Sequence, residues 1–543
     1  MSTRPRFLVF CGAVLIVGTV AGGYFGDPAL ATSNRSAEKL RTFSSMLGLI
    51  QDRYMDETDS DEVVYGAIRG MLRTLDPHSN FLDPKAFREM REEQRGSFSG
   101  LGIVISLRGE EGLLTVISPI EGTPAHRAGM RAGDIISMID GNETAGMTID
   151  QALKKLRGKK GTTVDLIITR EAAEEPLDFT ITRDDIPTAS IPYAYMLRPG
   201  VGYIKIKNFT QTTADELDQK LRALSKQGME RLILDLRANP GGLLEQAVKV
   251  SSLFLGGGKM IVYTRGRVSN SDQEYYGSDD NIGLRYPLIV MVNKGSASAS
   301  EIVAGAIQDH DRGLVVGENT WGKGLVQTVY PMSHESALAL TTAKYYTPSG
   351  RLIQRDYRSL EDYFTYAKVE DDGSREVHYT DAGRKVLSGG GIAPDVEVEY
   401  PESPDFIQQL ERRAVFFDFA VSLLAHVELD RSFEIDEAIL TRFKKFVEEK
   451  KIDFEEEDIK DNLPYLKTAI RAEVIGNLHG LEERSRALTE NDPQLLQALD
   501  LFPRAQAMLA ALTRTEELAE QSGIPEDRSS SRIDPGATPP VNQ

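Results

Sequence analysis

Three serines and a lysine are the residues of this chain best placed to do chemistry. Ser296, Ser298 and Ser300 alternate with Ala297 and Ala299 in a small-residue turn that follows the apolar run from Leu288 to Val292. A helix is expected from about Ala299 to Gln308, with Ile302, Ala306 and Ile307 on one face. A hydroxyl at such a strand-to-helix turn lies beside backbone N–H groups that the first helical turn leaves unpaired, and these can hold a developing oxyanion. Lys323 stands between Gly322 and Gly324, one short helix and one short strand after Ser298. A lysine acts as general base toward a serine hydroxyl when burial lowers its pKa toward the working pH. Trp321, Leu325 and Val326 offer apolar surroundings for that, and the amide of Gln327 could orient the amine. The loop Arg237-Ala238-Asn239-Pro240-Gly241-Gly242 follows another expected strand, and its glycines let N–H groups turn toward a substrate as a second oxyanion donor. Together these residues describe acyl transfer.

Each feature alone has a blander reading. The serines can be small polar fillers of a helix start, Ser296 as a cap. Lys323 can be a solvated charge, and Asn-Pro-Gly-Gly a plain turn. What favours chemistry is that all three loops follow strands of one expected sheet and should open on one edge, where ligands of parallel sheets bind. The residues alone do not choose among the three serines. A Ser-His-Asp scheme through Asp309-His310-Asp311 is disfavoured, because ten helical residues would carry His310 about 15 Å from the serine. Metal catalysis finds no HExxH and no clustered ligands.

The elements that must position these groups belong to a long chain. At 543 residues several domains are expected, with 41% hydrophobic and 27% charged residues, as in soluble globular proteins. A net charge of −19 argues against a nucleic-acid partner. The sole cysteine, Cys11, lies in a leader-like start, so neither disulfides nor a cysteine metal site are expected in the folded body. Residues 1–31, with Arg4 and Arg6, an apolar run and Ala29-Leu30-Ala31, read as a signal peptide or an N-terminal membrane anchor. Either delivers the body across a membrane, in a bacterium to the periplasm or cell envelope.

Residues 32–95 are expected to form a helical region, with Leu40, Phe43, Leu47, Ile50 and Tyr54 drawing one stripe and a second helix from Ser60 to Leu75. Such a stripe could pair subunits, giving a homo-oligomer. Residues 96–183 read as β-rich, with strands at Gly102–Leu107, Leu113–Ile117, Asp134–Ile139 and Thr163–Thr169 and a helix from Thr148 to Leu156. With Ser99-Gly100-Leu101-Gly102-Ile103 and GMRAGDIISMIDG, this order resembles a PDZ domain. The resemblance implies that N–H groups near Leu101, Gly102 and Ile103 receive a peptide's terminal carboxylate, and that Ile149, Ala152, Leu153 and Leu156 line the groove.

From 184 to 400 strands at Tyr203–Ile206, Leu232–Leu236, Leu288–Val292 and Leu314–Val316 alternate with helices, which predicts a largely parallel sheet covered by helices. Strand-like runs at Gln327–Met332 and Ala337–Tyr346 follow, then surface connections from Asp356 to Leu387. Residues 401–522 turn helical, with Phe406, Leu410, Phe417, Val421 and Leu424 marking one helix, Ile439, Leu440, Phe443, Phe446 and Val447 another, and more helix around Tyr465–Leu478 and Gln494–Leu512. Bracing the core, oligomerisation and docking of an adaptor protein are the roles open to this region. Residues 523–543 have a disordered composition.

The motifs GSASASEI, TWGKGLVQ, LRANPGG, YYTPSGRLIQ, GIAPD and DPHSNFLDP together resemble the carboxy-terminal processing peptidases, tail-specific Ser–Lys proteases, over roughly 37–400. The resemblance implies an α+β multidomain chain in which a PDZ domain precedes an α/β, crotonase/Clp-protease-like core, flanked by helical N- and C-terminal regions. It further implies Ser298 as nucleophile, Lys323 as general base, Gln327 as its support, and Ala299 with a glycine of the Gly241-Gly242 pair as the oxyanion hole. The expected enzyme is a serine endopeptidase of the envelope, needing no cofactor or metal, that captures protein C-termini and cleaves through an acyl-enzyme. Two other readings are a PDZ adaptor with an inactive protease-like domain, and an enzyme acting on small acyl substrates, whose phosphate contacts are not evident.

Overall fold

The computed structural model describes residues 28–522 except 110, 172, 279–285, 358–362, 364–374 and 432. Most of the expected leader, with Cys11, the expected tail and much of the Asp356–Leu387 connection therefore lie outside the described residues. Among the described residues no helix is long and apolar enough to cross a membrane. The chain forms two compact units, one from residues up to Pro84 with Val329–Leu340, the other from Lys85–Thr328 with Thr341 onward.

In the first unit a helix runs from Pro28 to Arg53 and a second from Ser60 to Leu72, the latter capped by the Asp59 carboxylate, which accepts the Asp61 N–H at 2.8 Å. The short strand Asn80–Leu82 pairs antiparallel with Ala337–Ala339. The expected apolar stripe is present but not buried within the chain: Leu40, Phe43, Ile50 and Tyr54 are exposed, as are Met46 and Leu49 beside them.

In the second unit a first sheet has the antiparallel order Ile103–Arg108, Leu113–Pro119, Ile135–Ile139, Thr163–Thr169, Leu177–Thr182. The last strand carries little sequence signal, because Leu-Asp-Phe-Thr-Ile-Thr alternates within a charged, proline-containing stretch. The helix Ile149–Leu156 starts at a Thr148/Gln151 capping box, and Ala152 and Leu156 enter the core with Val116, Ile136, Ile139 and Ile168.

A second sheet runs Tyr193–Arg198, Val201–Lys205, Arg231–Asp235, Leu288–Val292, Leu314–Gly317, Val396–Glu397; its first pair is antiparallel and the rest parallel, as the alternation predicted. The strands are apolar on both faces. Ile204, Leu234, Val290 and Val315 face a core built with the helices Thr213–Lys226, Leu244–Ser252 and Ala299–Asp309. Tyr203, Ile233, Ile289, Met291, Leu314 and Val316 face the opposite way, onto Leu495, Ala498, Phe502 and Ala505. The C-terminal helices thus form the second layer over the central sheet.

Three expectations need correction. The helix marked by Phe406 to Leu424 is two helices, Asp405–Arg412 and Val415–His426, broken at Ala414, whose φ is 50°. The helix expected around Gln494–Leu512 comes as two, Pro493–Asp500, capped by Asp492, and Phe502–Ser522, because Pro503 has no N–H with which to continue the first. Within the Asp356–Leu387 connection, Val377–Tyr379 and Lys385–Leu387 pair as a hairpin. An apolar periodicity carries through a one-residue break, so it does not reveal it.

Candidate active site

The structure separates the three serines that the sequence could not. Ser296 is buried; its Oγ donates to the Leu236 carbonyl at 2.8 Å and accepts the Asn293 N–H at 3.0 Å. Ser300 is buried as well, its Oγ donating to the Asn239 carbonyl at 3.0 Å. Both are struts between neighbouring loops. Ser298 is half-buried, and among the described residues no hydrogen bond ties its hydroxyl to another loop; it lies within the capping box at the head of its own helix. Its backbone sits at φ 54°, ψ −111°, a conformation that L-residues adopt only under constraint. Unlike its two neighbours, Ser298 is strained and does not serve as a strut between loops.

The constraint comes from two buried side chains that the sequence reading passed over. The Glu301 carboxylate, fully buried, accepts the Ser298 N–H at 2.7 Å and the Lys323 N–H at 2.9 Å on one oxygen, and the Gly322 N–H at 2.7 Å and Thr320 Oγ1 at 2.5 Å on the other. The Tyr345 hydroxyl reaches the carbonyls of the same two residues, Ser298 at 3.1 Å and Lys323. One residue therefore grips both N–H groups and another both carbonyls. This fixes the backbones of Ser298 and Lys323 against each other. Burial pushes the Glu301 carboxyl up to about 7, against the pull of its four donors. Burial likewise holds the Tyr345 hydroxyl neutral, well above its ordinary range. Glu301 was legible only as part of a helix start, because its four donors come from Ser298 and the distant segment 320–323.

The glycines around Lys323 are required by close approach. A Cβ on Gly322, which has φ 87°, would lie 2.8 Å from Arg355 Cβ, and one on Gly324 would lie 2.8 Å from the Gln354 nitrogen. The backbone is sewn to the same segment by Arg355 N–H to the Gly322 carbonyl and Gly324 N–H to Gln354 Oε1, both at 2.9 Å. Lys323 itself is half-buried. Trp321 adds more than apolar cover: its Nε1 donates to the Tyr363 hydroxyl at 2.8 Å, and Arg355 lies 4.8 Å above its ring. Leu325 and Val326 are half-buried, and the Gln327 amide faces Thr341 Oγ1 at a long 3.5 Å.

Gly241 lies directly against the serine turn. A Cβ there would be 2.8 Å from Ser298 Cβ and 2.9 Å from the Ala299 nitrogen, at a φ of 102°. Its own N–H, however, donates to Asn239 Oδ1 at 2.9 Å. Of the glycine pair, Gly242 is thus the one whose N–H makes no hydrogen bond among the described residues. Asn239 is more than a turn residue. It is fully buried, with Nδ2 on the Ile206 carbonyl at 3.0 Å and its own carbonyl accepting the Ala297 N–H and Ser300 Oγ, each at 3.0 Å. It locks the glycine loop to the serine loop. His310 is at the other end of the Ala299–Asp309 helix, its ring nitrogens bound to Asp381 at 2.8 Å and the Met260 carbonyl at 2.6 Å, so it has no part in the serine site.

The β-rich domain holds a cavity of about 180 Å³ lined by the expected Leu101, Gly102, Ile103, Ile149 and Leu153, together with Leu156, Phe98 and Arg157. Ala152, expected in this groove, instead points into the domain core, fully buried. Gly102 is dictated by Thr123, whose Cβ would be 2.3 Å from an added Cβ, at φ 80°. The carbonyls of Leu101 and Gly102 are taken by the N–H groups of Ala125 and Ile120.

A sheet-based hydrolase core with a serine turn, a lysine loop and a peptide-binding module defines a class of PDZ-bearing serine peptidases, and comparison with known proteins agrees. Residues 200–359 match peptidase family S41, residues 115–170 a PDZ domain, and residues 27–86 the activating protease CtpB N-terminal domain; residues 425–480 match a family of unknown function. The carboxy-terminal-processing protease of Bartonella bacilliformis is 41% identical over 332 residues, covering 60% of this chain and 75% of the relative. Carboxy-terminal processing protease CtpA of Bacillus subtilis is 34% identical, covering 70% and 79%. The carboxyl-terminal-processing protease of Synechocystis is 39% identical, covering 65% and 87%. The chain belongs to the carboxy-terminal processing proteases of peptidase family S41, and it is a serine-type peptidase.

Proposed function

We propose that the protein is an endopeptidase of the bacterial cell envelope that binds protein C-termini in its PDZ groove and cleaves them with a Ser298–Lys323 dyad. Ser298 Oγ attacks the scissile carbonyl while the Lys323 amine takes its proton, with Gln327 supporting the amine. The tetrahedral oxyanion rests on the N–H groups of Ala299 and Gly242, and water then releases the acyl-enzyme. The Gly241 N–H joins the hole only if Asn239 gives it up. In the groove the carboxylate of the tail meets the Leu101-Gly102 loop, and Ile149 and Leu153 cover an apolar terminal side chain. The crotonase/Clp-protease-like relation of the core, a homo-oligomer paired through the exposed stripe of the Pro28–Arg53 helix, and the domain limits given above belong to the same reading.

The observation that carries it is the shared grip of Glu301 and Tyr345 on the backbones of Ser298 and Lys323, which serves no evident purpose unless those two residues act together. Turnover of unfolded casein should be abolished in both Ser298→Ala and Lys323→Ala, while Ser296→Ala and Ser300→Ala lose stability first. Equal turnover in wild type, Ser298→Ala and Lys323→Ala would discard the dyad.

A further inference from the structure

The loop that supports the oxyanion is held from two sides, and one of them is the C-terminal helical region. Asp235, at the end of its strand, is 1% exposed and accepts from the Tyr203 hydroxyl at 2.8 Å, Lys205 Nζ at 3.1 Å, and the Arg237 N–H at 2.8 Å. The Arg237 guanidinium lies along the same carboxylate, Nε at 3.1 Å and Nη2 at 2.7 Å. Its outer edge crosses to the turn before Pro493: Nη2 meets Asp492 Oδ2 at 2.8 Å and Nη1 meets Gln494 Oε1 at 2.9 Å. Gln494 is itself buried and donates to the Val398 carbonyl at 2.6 Å, while Asp492 Oδ1 caps the following helix through the Leu495 N–H at 3.0 Å.

Charge balance shows why this matters. Within the core, two cations, Lys205 and Arg237, share one carboxylate, Asp235. Asp492 supplies the second negative charge, and only then is the buried cluster neutral. A buried cation left short of a partner is strongly unfavourable, so the cluster is complete only with the C-terminal region in place. Arg237 is followed at once by Ala238, held at φ 54°, and then by Asn239, Gly241 and Gly242. A shift of the guanidinium therefore moves the segment that borders Ser298.

We infer that Asp492 and Gln494 are positioning residues for catalysis, acting through Arg237 to set the Ala238–Gly242 loop beside the nucleophile. The inference rests on reading that loop as the oxyanion support. It assigns the C-terminal helices a part in the reaction beyond covering the sheet.

The test uses the full chain, unfolded casein as substrate and amide hydrogen exchange as a second readout. Asp492→Asn keeps the helix cap and removes the charge. It should lower kcat about tenfold, less than the 10²–10³ that losing an oxyanion donor costs, with KM within about twofold. Exchange at the hydrogen-bonded amides of Ala238, Asn239 and Gly241 should rise while those of Ile302–Asp309 stay protected. Asp492→Glu should restore most of kcat, and in an Arg237→Lys background Asp492→Asn should cost little more. If Asp492→Asn does not fold, Gln494→Leu gives the same readouts with cap and charge intact. Unchanged kcat and loop exchange, or exchange raised evenly across the core, would overturn the inference. Turnover surviving in Ser298→Ala would instead refute the proteolytic reading, leaving the exchange data to judge the coupling alone.

Discussion

Glu301 is the residue on which the serine site depends most. Both carboxylate oxygens accept two donors each, so the ionised form is the one that fits, yet burial raises the carboxyl to about 7. The sign follows directly. An acid whose pKa is raised by folding favours the folded state most at low pH, and that contribution is lost as the pH climbs from its ordinary range toward 7. Activity runs the other way. Below about 7 the protonated carboxyl must turn one of its donors away, which loosens Ser298 from Lys323. Glu301→Gln puts an amide NH2 where two donors point, at a cost of about 1–3 kcal/mol for each unsatisfied group. We expect kcat/KM to fall roughly 10- to 100-fold, and the acid limb of its pH profile near 7 to shift or vanish. A profile identical in shape to wild type would show that some other group sets that limb. Tyr345→Phe should have a milder effect of the same kind on kcat, because Glu301 still holds the two nitrogens.

At the scale of elements, the PDZ strand and helix form a slot rather than a flat apolar face. The tight turn at Gly102, forced by Thr123, brings the Leu101-Gly102 loop against Ile149 and Leu153 at the start of the helix. On the proposed reading a terminal carboxylate meets that loop and an apolar terminal side chain enters the cavity. An unfolded peptide ending in an apolar residue should bind, and its C-terminal amide should bind at least about tenfold more weakly, as measured by fluorescence anisotropy. Equal binding of acid and amide would mean that the groove reads side chains alone. The sequence made this element recognisable because its strands, turn glycines and helix come in a fixed order. Its fifth strand, Leu177–Thr182, was hidden by mixed composition, and the inward turn of Ala152 by a helix phase that periodicity sets only loosely.

For the whole second unit, the C-terminal helices act as a layer of the core. Leu495, Ala498, Phe502 and Ala505 are all buried against the sheet face formed by Ile233, Ile289, Met291 and Val316. Phe502→Ala should lower unfolding stability by about 3–5 kcal/mol, read by denaturant unfolding. A chain ending at Tyr400 should fail to give a soluble folded core, because it exposes that sheet face to water. A stable, cooperatively unfolding truncated protein would show that the helices are an appendage.

The sequence by itself laid out the serine, lysine and glycine loops and the strand-helix alternation that brings them together. These are local patterns: a strand's period, a glycine where the chain must pass closely, a serine at a helix start. Only the tertiary structure decided which serine is not tied to another loop, because Ser296 and Ser300 are satisfied by Leu236 and Asn239, far away in the chain. The same holds for Glu301, Tyr345, Asn239 and the Arg237–Asp492 pair. Their partners are set by packing between distant segments, and no residue type or spacing records which buried carboxylate will face which backbone nitrogen.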